Sequence, residues 1–237
     1  MMGGLSVSLE SGRKLGLTAS WIEIIMPVIA VIATVFFFLS IFSVISAAAS
    51  GSSVTLPNFS SIFVGVLILV GIMTFVGIIL FVVAMHCLSQ YYGEPGIFKN
   101  VLYGFILNIV GAIVAVAIEF VLIVTSTNST SQTTTVAVVT STEVTTQLVL
   151  GGLAVFVIGF VLGIISAVFY MRAFNLLAEK SGKDSFRTAG LLYLLGAVLT
   201  IVLVGSLLLW IAWILAATGF NSLGPREPQP PPLPPPP

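Results

Sequence analysis

Long apolar runs separated by short polar segments dominate the chain, at residues 22–45, 62–85, 101–124, 148–170 and 191–217. Each reaches the roughly 20 residues that a helix needs to cross a hydrocarbon layer about 30 Å thick. Lipid offers no hydrogen bonds to a backbone, so runs of this kind fold as helices. The pattern predicts an all-α membrane protein, a bundle of five transmembrane helices over residues 22–217, with an N-terminal segment at 1–21 and a tail at 218–237. Ala47-Ala48-Ala49 resembles a signal-peptide cleavage site. The run before it exceeds the roughly 7–15 residues of a signal core, so it reads as an uncleaved first span. Pro27 is expected in the first turns of that span, where a missing donor is tolerated. Trp21 and Glu23 are expected at the inner interface.

Charge orients these runs. Of sixteen charged residues, eight basic and eight acidic, six lie between Met171 and Gly190, among them Arg172, Lys180, Lys183 and Arg187. Short basic loops stay cytoplasmic during insertion. With that loop inside, Arg13, Lys14 and Lys99 are inside as well, leaving Arg226 outside. Tyr91, Tyr92, Tyr103, Tyr170 and Tyr193 then fall at inner ends, and Trp210 and Trp213 near the outer end of the fifth span. The expectation is a multi-pass protein of the cell membrane, with its N-terminus and basic loops cytoplasmic and its Ser/Thr-rich loop and tail outside. A composition 58% hydrophobic and 7% charged fits lipid as the principal partner, and zero formal net charge offers no field for nucleic acid.

The outer segments have another chemistry. Residues 46–61 carry no charge, and residues 125–147 carry only Glu143 among fourteen Ser and Thr. Both contain an N-glycosylation acceptor pattern, at Asn58 and Asn128. The Val/Thr-rich stretch from Thr133 to Thr146 favours extended chain or a hairpin. The tail, PREPQPPPLPPPP, fits polyproline II, either as a disordered spacer or as a ligand for a groove-type partner.

An internal similarity runs through the inner loops. Met85 to Gly104 set beside Ala173 to Leu192 matches Leu88 with Leu176, Phe98 with Phe186 and Lys99 with Arg187, and Gly93 meets Gly182 after a one-residue shift. The expected architecture is one lead helix plus two parallel-repeat hairpins, although packing economy alone can give two similar hairpins. The stretches SLESGRKLG, YYGEPGIFKNVLYG and RAFNLLAEKSGKDSFRTAGLLYLLGAVLTIVLVG resemble archaeal multispan integral membrane proteins known as a domain of unknown function. The resemblance covers most of Leu9 to Phe220. It implies an integral membrane protein of archaeal type, carries no known activity and transfers no catalytic residue.

One His, one Asp and one Cys leave little for catalysis. His86 and Cys87 are adjacent, so on a helix they point about 100° apart and do not jointly grip a metal. Cys87 fits a small apolar filler. No catalytic, cofactor or metal residues are assigned, and a non-enzymatic protein is expected. The candidate intramembrane feature is a stripe in the third span, Gly104, Asn108, Ala112, Ala115 and Glu119, at helical spacing. An acid within a span is costly and reads as functional by default. The structural alternative is a Glu119 that leans to the outer interface or stays protonated, with Asn108 bonded to a neighbouring helix. Gly152, Gly159 and Gly163 in the fourth span suggest close helix approach. Two functions follow: a scaffold or accessory subunit of a membrane complex or homo-oligomer, and a small-solute or proton-coupled permeation protein using the Glu119 stripe.

Overall fold

The computed structural model describes residues 2–49, 59–129, 140–202 and 204–224. They form six helices, α1 (Met2–Ala49), α2 (Phe59–Tyr92), α3 (Pro95–Ser129), α4 (Thr140–Ser181), α5 (Asp184–Leu199) and α6 (Val204–Asn221), with a 3-10 turn at Thr200–Val202 between the last two. All six are long and apolar enough to cross a membrane. The expected fifth span is therefore two. Its apolar run folds back on itself where Gly196 and Gly205 let α5 and α6 meet backbone to backbone. A Cβ on Gly196 would lie 2.9 Å from the Gly205 carbonyl oxygen, and one on Gly205 would collide with the backbone of Thr200 and Gly196.

Two other local expectations are corrected. Thr140 to Thr146 are helical, as the start of α4, rather than extended. Strand preference is a weak prior beside the continuation of an apolar helix. Pro27 lies inside the 48-residue α1, not in its first turns, because the helix begins at Met2. There it withholds the bond that would reach the Glu23 carbonyl four residues earlier.

Each helix packs on its neighbours in sequence, and α1 also packs on α6, closing the bundle. The most extensive pairings are α1 with α2, α3 with α4 and α5 with α6, whereas α2 and α3 touch little after their turn. Three hairpins thus replace the expected lead helix with two. The two turns expected on the inner side do share a form: Gly93 and Gly182 adopt φ of 65° and 68°, a left-handed conformation that glycine takes without Cβ strain. One residue follows each glycine before the next helix. The amides of Ile97 and Phe186 then donate to the Glu94 and Lys183 carbonyls at 3.2 Å each. That geometry pairs Ile97 with Phe186, both fully buried, and not Phe98 with Phe186 as the sequences suggest. The caps also differ, since the Glu94 amide returns to the Ser89 carbonyl while the Gly182 amide returns to the Ala178 carbonyl.

The packed core sits at the end of the bundle that carries these two turns. Phe81 is its centre, with ring centroids 5.6 Å from Phe174, 5.2 Å from Trp213 and 6.3 Å from Phe220. Leu9, Gly12, Gly16 and Ala19 form the buried face of α1 at helical spacing. A Cβ on Gly12 would meet Leu88, and one on Gly16 would meet the Phe220 ring at 2.5 Å, so α2 and α6 rest directly on α1. Trp213 belongs to this core and not to an outer aromatic belt, because α6 runs back toward the turns. Arg13 Nη1 donates to the Leu223 carbonyl at 3.3 Å, and Lys180 Nζ lies 3.2 Å from Glu94 Oε2, joining the two inner turns. The last described residues consequently lie at the face of Arg13; the tail from Pro225 and its expected placement opposite the N-terminus fall outside the described residues.

Away from this end the helices bury little. Val31, Phe36 and Leu39 of α1, Ile62, Ile68 and Leu69 of α2, Ile113, Val116 and Phe120 of α3, and Leu153 and Phe156 of α4 all face outward. In water such a surface would be a severe liability, but in hydrocarbon it is the solvated state.

Candidate functional site

Polar groups inside the bundle occur at two places. The first lies between α3 and α4. Asn108 Nδ2 donates to Ser166 Oγ at 2.9 Å, and Ser166 Oγ donates to the Gly104 carbonyl at 2.9 Å. Ser166 is fully buried, and Gly104 is glycine because a Cβ there would lie 3.2 Å from both the Ser166 carbonyl oxygen and the Tyr170 ring. The Gly104 and Asn108 part of the stripe therefore faces α4. One turn on, Gly111 meets Leu162, while Ala112 is exposed and Ala115 half-buried. The backbone of Glu119 lies in α3, and its side chain falls outside the described residues. Of the two glycosylation acceptors, Asn58 falls outside the described residues and Asn128 lies in the last turn of α3.

A cavity of about 350 Å³ opens beside this chain of bonds, lined by Asn108, Ser166, Tyr193 and Thr200 with Phe156 and Phe160. Gly159 and Gly163 line it too, and a Cβ on either would meet nothing within 4 Å. Their smallness opens a cleft instead of admitting a neighbouring helix, contrary to the packing expected from their spacing. Thr200 bonds back to the Gly196 carbonyl at 2.8 Å, so the cleft's hydroxyls are largely engaged with backbone.

The second place is Glu23. Sequence reasoning set it at the inner interface, but only 8% of it is exposed, and its Oε1 has no hydrogen-bond partner. It faces α2 at Gly77, where a Cβ would come within 2.9 Å of Oε1 and of Ile22. Ser20, one turn earlier on the same face, is fully buried and donates to the Gly16 carbonyl at 2.8 Å. From α6, Trp210 Nε1 donates to the Ile24 carbonyl at 2.9 Å. The Tyr170 and Tyr193 phenols lie within electrostatic reach of the carboxyl. Their rings touch at 5.3 Å, and Tyr193 stands 6.1 Å from Trp213. The signal available in the sequence was the spacing Gly12, Gly16, Ser20, Glu23, a small and polar face that continues into the apolar run.

Further polar groups lie at the basic end. His86 Nε2 lies 3.0 Å from Gln90 Nε2, one turn on, and its ring stands 4.6 Å from Phe98. Cys87 is a free, half-buried thiol. A shallow cavity of about 300 Å³ is lined by Asn175, Glu179, Asp184 and Arg187. Among the described residues no group of three or more His, Cys, Asp or Glu is placed to hold a metal.

Comparison with known proteins adds membership without chemistry. The chain is similar to a protein of Methanocaldococcus jannaschii described as "Uncharacterized protein MJ1644", with 28% identity over 149 residues that cover 60% of this chain and 74% of that one. No solved structure matches. The family described as "Protein of unknown function (DUF996)" matches residues 73–214, from the middle of α2 to the middle of α6, which takes in both inner turns and the doubled-back hairpin. The chain belongs to that family, and is a member with six apolar helices of the DUF996 proteins.

Proposed function

We propose that the protein is a non-enzymatic scaffold or accessory subunit of a membrane complex, held by six crossings, with the N-terminus, the basic turns and the end of α6 on the cytoplasmic face. The observation that carries this reading is the division of the bundle. A core tied by Phe81, the Arg13 to Leu223 bond and the Glu94–Lys180 pair occupies the basic end, while α1 to α4 extend beyond it with apolar faces that none of the described helices covers. At about 1.5 Å per residue, α1 and α4 are roughly 70 and 60 Å long, twice what a crossing needs. Such faces suit the association of helices in lipid, where small residues and close packing supply the attraction. The basic residues at the inner turns support the sidedness by the rule that keeps short basic loops inside.

Cross-linking in native membranes followed by purification of the full chain tests the assignment. The reading expects a second membrane protein, or a second copy of this chain, recovered in fixed ratio and cross-linked through α1 to α4. A protein that remains monomeric and partner-free after cross-linking overturns it.

A further inference from the structure

We propose that Glu23 is the binding site for a small monovalent cation, a proton or an alkali ion, inside the bundle. Glu23 is only 8% exposed, and its Oε1 is buried without a hydrogen-bond partner against Gly77, where the absence of a Cβ admits it. An ionised carboxylate in such surroundings is expensive unless a positive charge accompanies it. None of the described cationic side chains supplies one. Arg13 bonds to the Leu223 carbonyl, Lys14 to Glu10 and Lys180 to Glu94, all at the polar end.

Among the described residues the groups around Glu23 are neutral. Gly77 of α2 lies against the carboxyl and Trp210 of α6 bonds to the adjacent Ile24 carbonyl, while Tyr170 of α4 and Tyr193 of α5 are the titratable groups within electrostatic reach of it. The compensating charge therefore enters from solution. Oxygen is the atom type that binds a proton or a hard cation, and the same stretch of α1 carries more of it. Ser20 Oγ spends its hydrogen on Gly16 and keeps its lone pairs, and Pro27 frees the Glu23 carbonyl from its usual intrahelical donor.

The test is thermal unfolding of the full chain in lipid nanodiscs, for the parent and for Glu23→Gln, from about pH 5 to about pH 9, with and without sodium. The proposal expects the parent melting temperature to fall by several degrees as pH rises without sodium, because the bound proton is withdrawn, and Glu23→Gln to flatten that fall. Restoration by sodium in the parent alone assigns an alkali ion, and no sodium effect assigns the proton. Parallel profiles for parent and variant, with no sodium effect confined to the parent, overturn the site. Should Glu23→Gln not fold, dicyclohexylcarbodiimide decides on the parent: the protonated carboxyl gives its proton to a carbodiimide nitrogen while its oxygen adds to the central carbon. An adduct on the peptide holding Glu23 that falls away with rising pH or with sodium supports the site. No adduct there, or one indifferent to both, overturns it.

Discussion

Arg13 donates to the carbonyl of Leu223, 210 residues away, and that single contact places the beginning of α1 and the end of α6 at one face of the bundle. The proposed topology follows from this return, since a chain that ends at its starting face has crossed an even number of times. The two glycines that fold α5 against α6 produce the extra helix, and the Gly16 and Phe220 packing holds its end in place.

Glycine substitutions separate structural from open positions. Gly205→Ala should destabilise the protein by about 1–3 kcal/mol or prevent folding, since its Cβ would meet backbone that cannot rotate away. Gly159→Ala, facing the cleft, should be neutral or stabilising by up to about 1 kcal/mol. Thermal unfolding of the two variants in one detergent reads the contrast; equal losses would show that the cleft is filled.

Core and lipid-facing aromatics should also part company. Phe81→Ala removes a ring that is 1% exposed and touches Tyr170, Phe174, Trp213 and Phe220, with an expected cost of about 3–5 kcal/mol. Phe36→Ala, 62% exposed along α1, should cost less than about 1 kcal/mol. Equilibrium unfolding in mixed micelles measures both, and similar values would place the core elsewhere.

The apolar runs were legible because lipid demands long apolar helices, so periodicity and length sufficed for four of the six. The break at Thr200–Val204 was not, since Thr-Ile-Val-Leu-Val contains no Gly, Pro or charge to mark a turn. The usable signal was length, 27 residues where about 20 suffice, together with Gly196 and Gly205 spaced around the bend. Glu23 was misplaced for a related reason. Its place beside Trp21 at the start of the apolar run suggested an interface, but the buried Gly12, Gly16 and Ser20 face carries α1 into the bundle. Along α3, Gly104 and Asn108 do meet α4, yet a true helical face drifts to Gly111 and leaves Ala112 outside it.

The Glu94–Lys180 pair joins the two inner turns at 3.2 Å, with both side chains about a third exposed. Its coupling should be modest, about 0.2–1 kcal/mol, and should shrink in high salt. A double-mutant cycle with Glu94→Gln and Lys180→Met measures it. Coupling well above that range would show that the turns depend on this pair more than on Ile97, Phe186 and the left-handed glycines.

Accessibility of single cysteines, in a background with Cys87→Ser, tests the return of the chain most directly. Cysteines at Ser181, beside an inner turn, and at Ser222, after α6, should respond alike to an impermeant maleimide in intact cells, both protected, while one at Ser129, at the far end of α3, reacts. Labelling of Ser222→Cys together with Ser129→Cys, and not with Ser181→Cys, would mean an odd number of crossings and would contradict the six-span bundle.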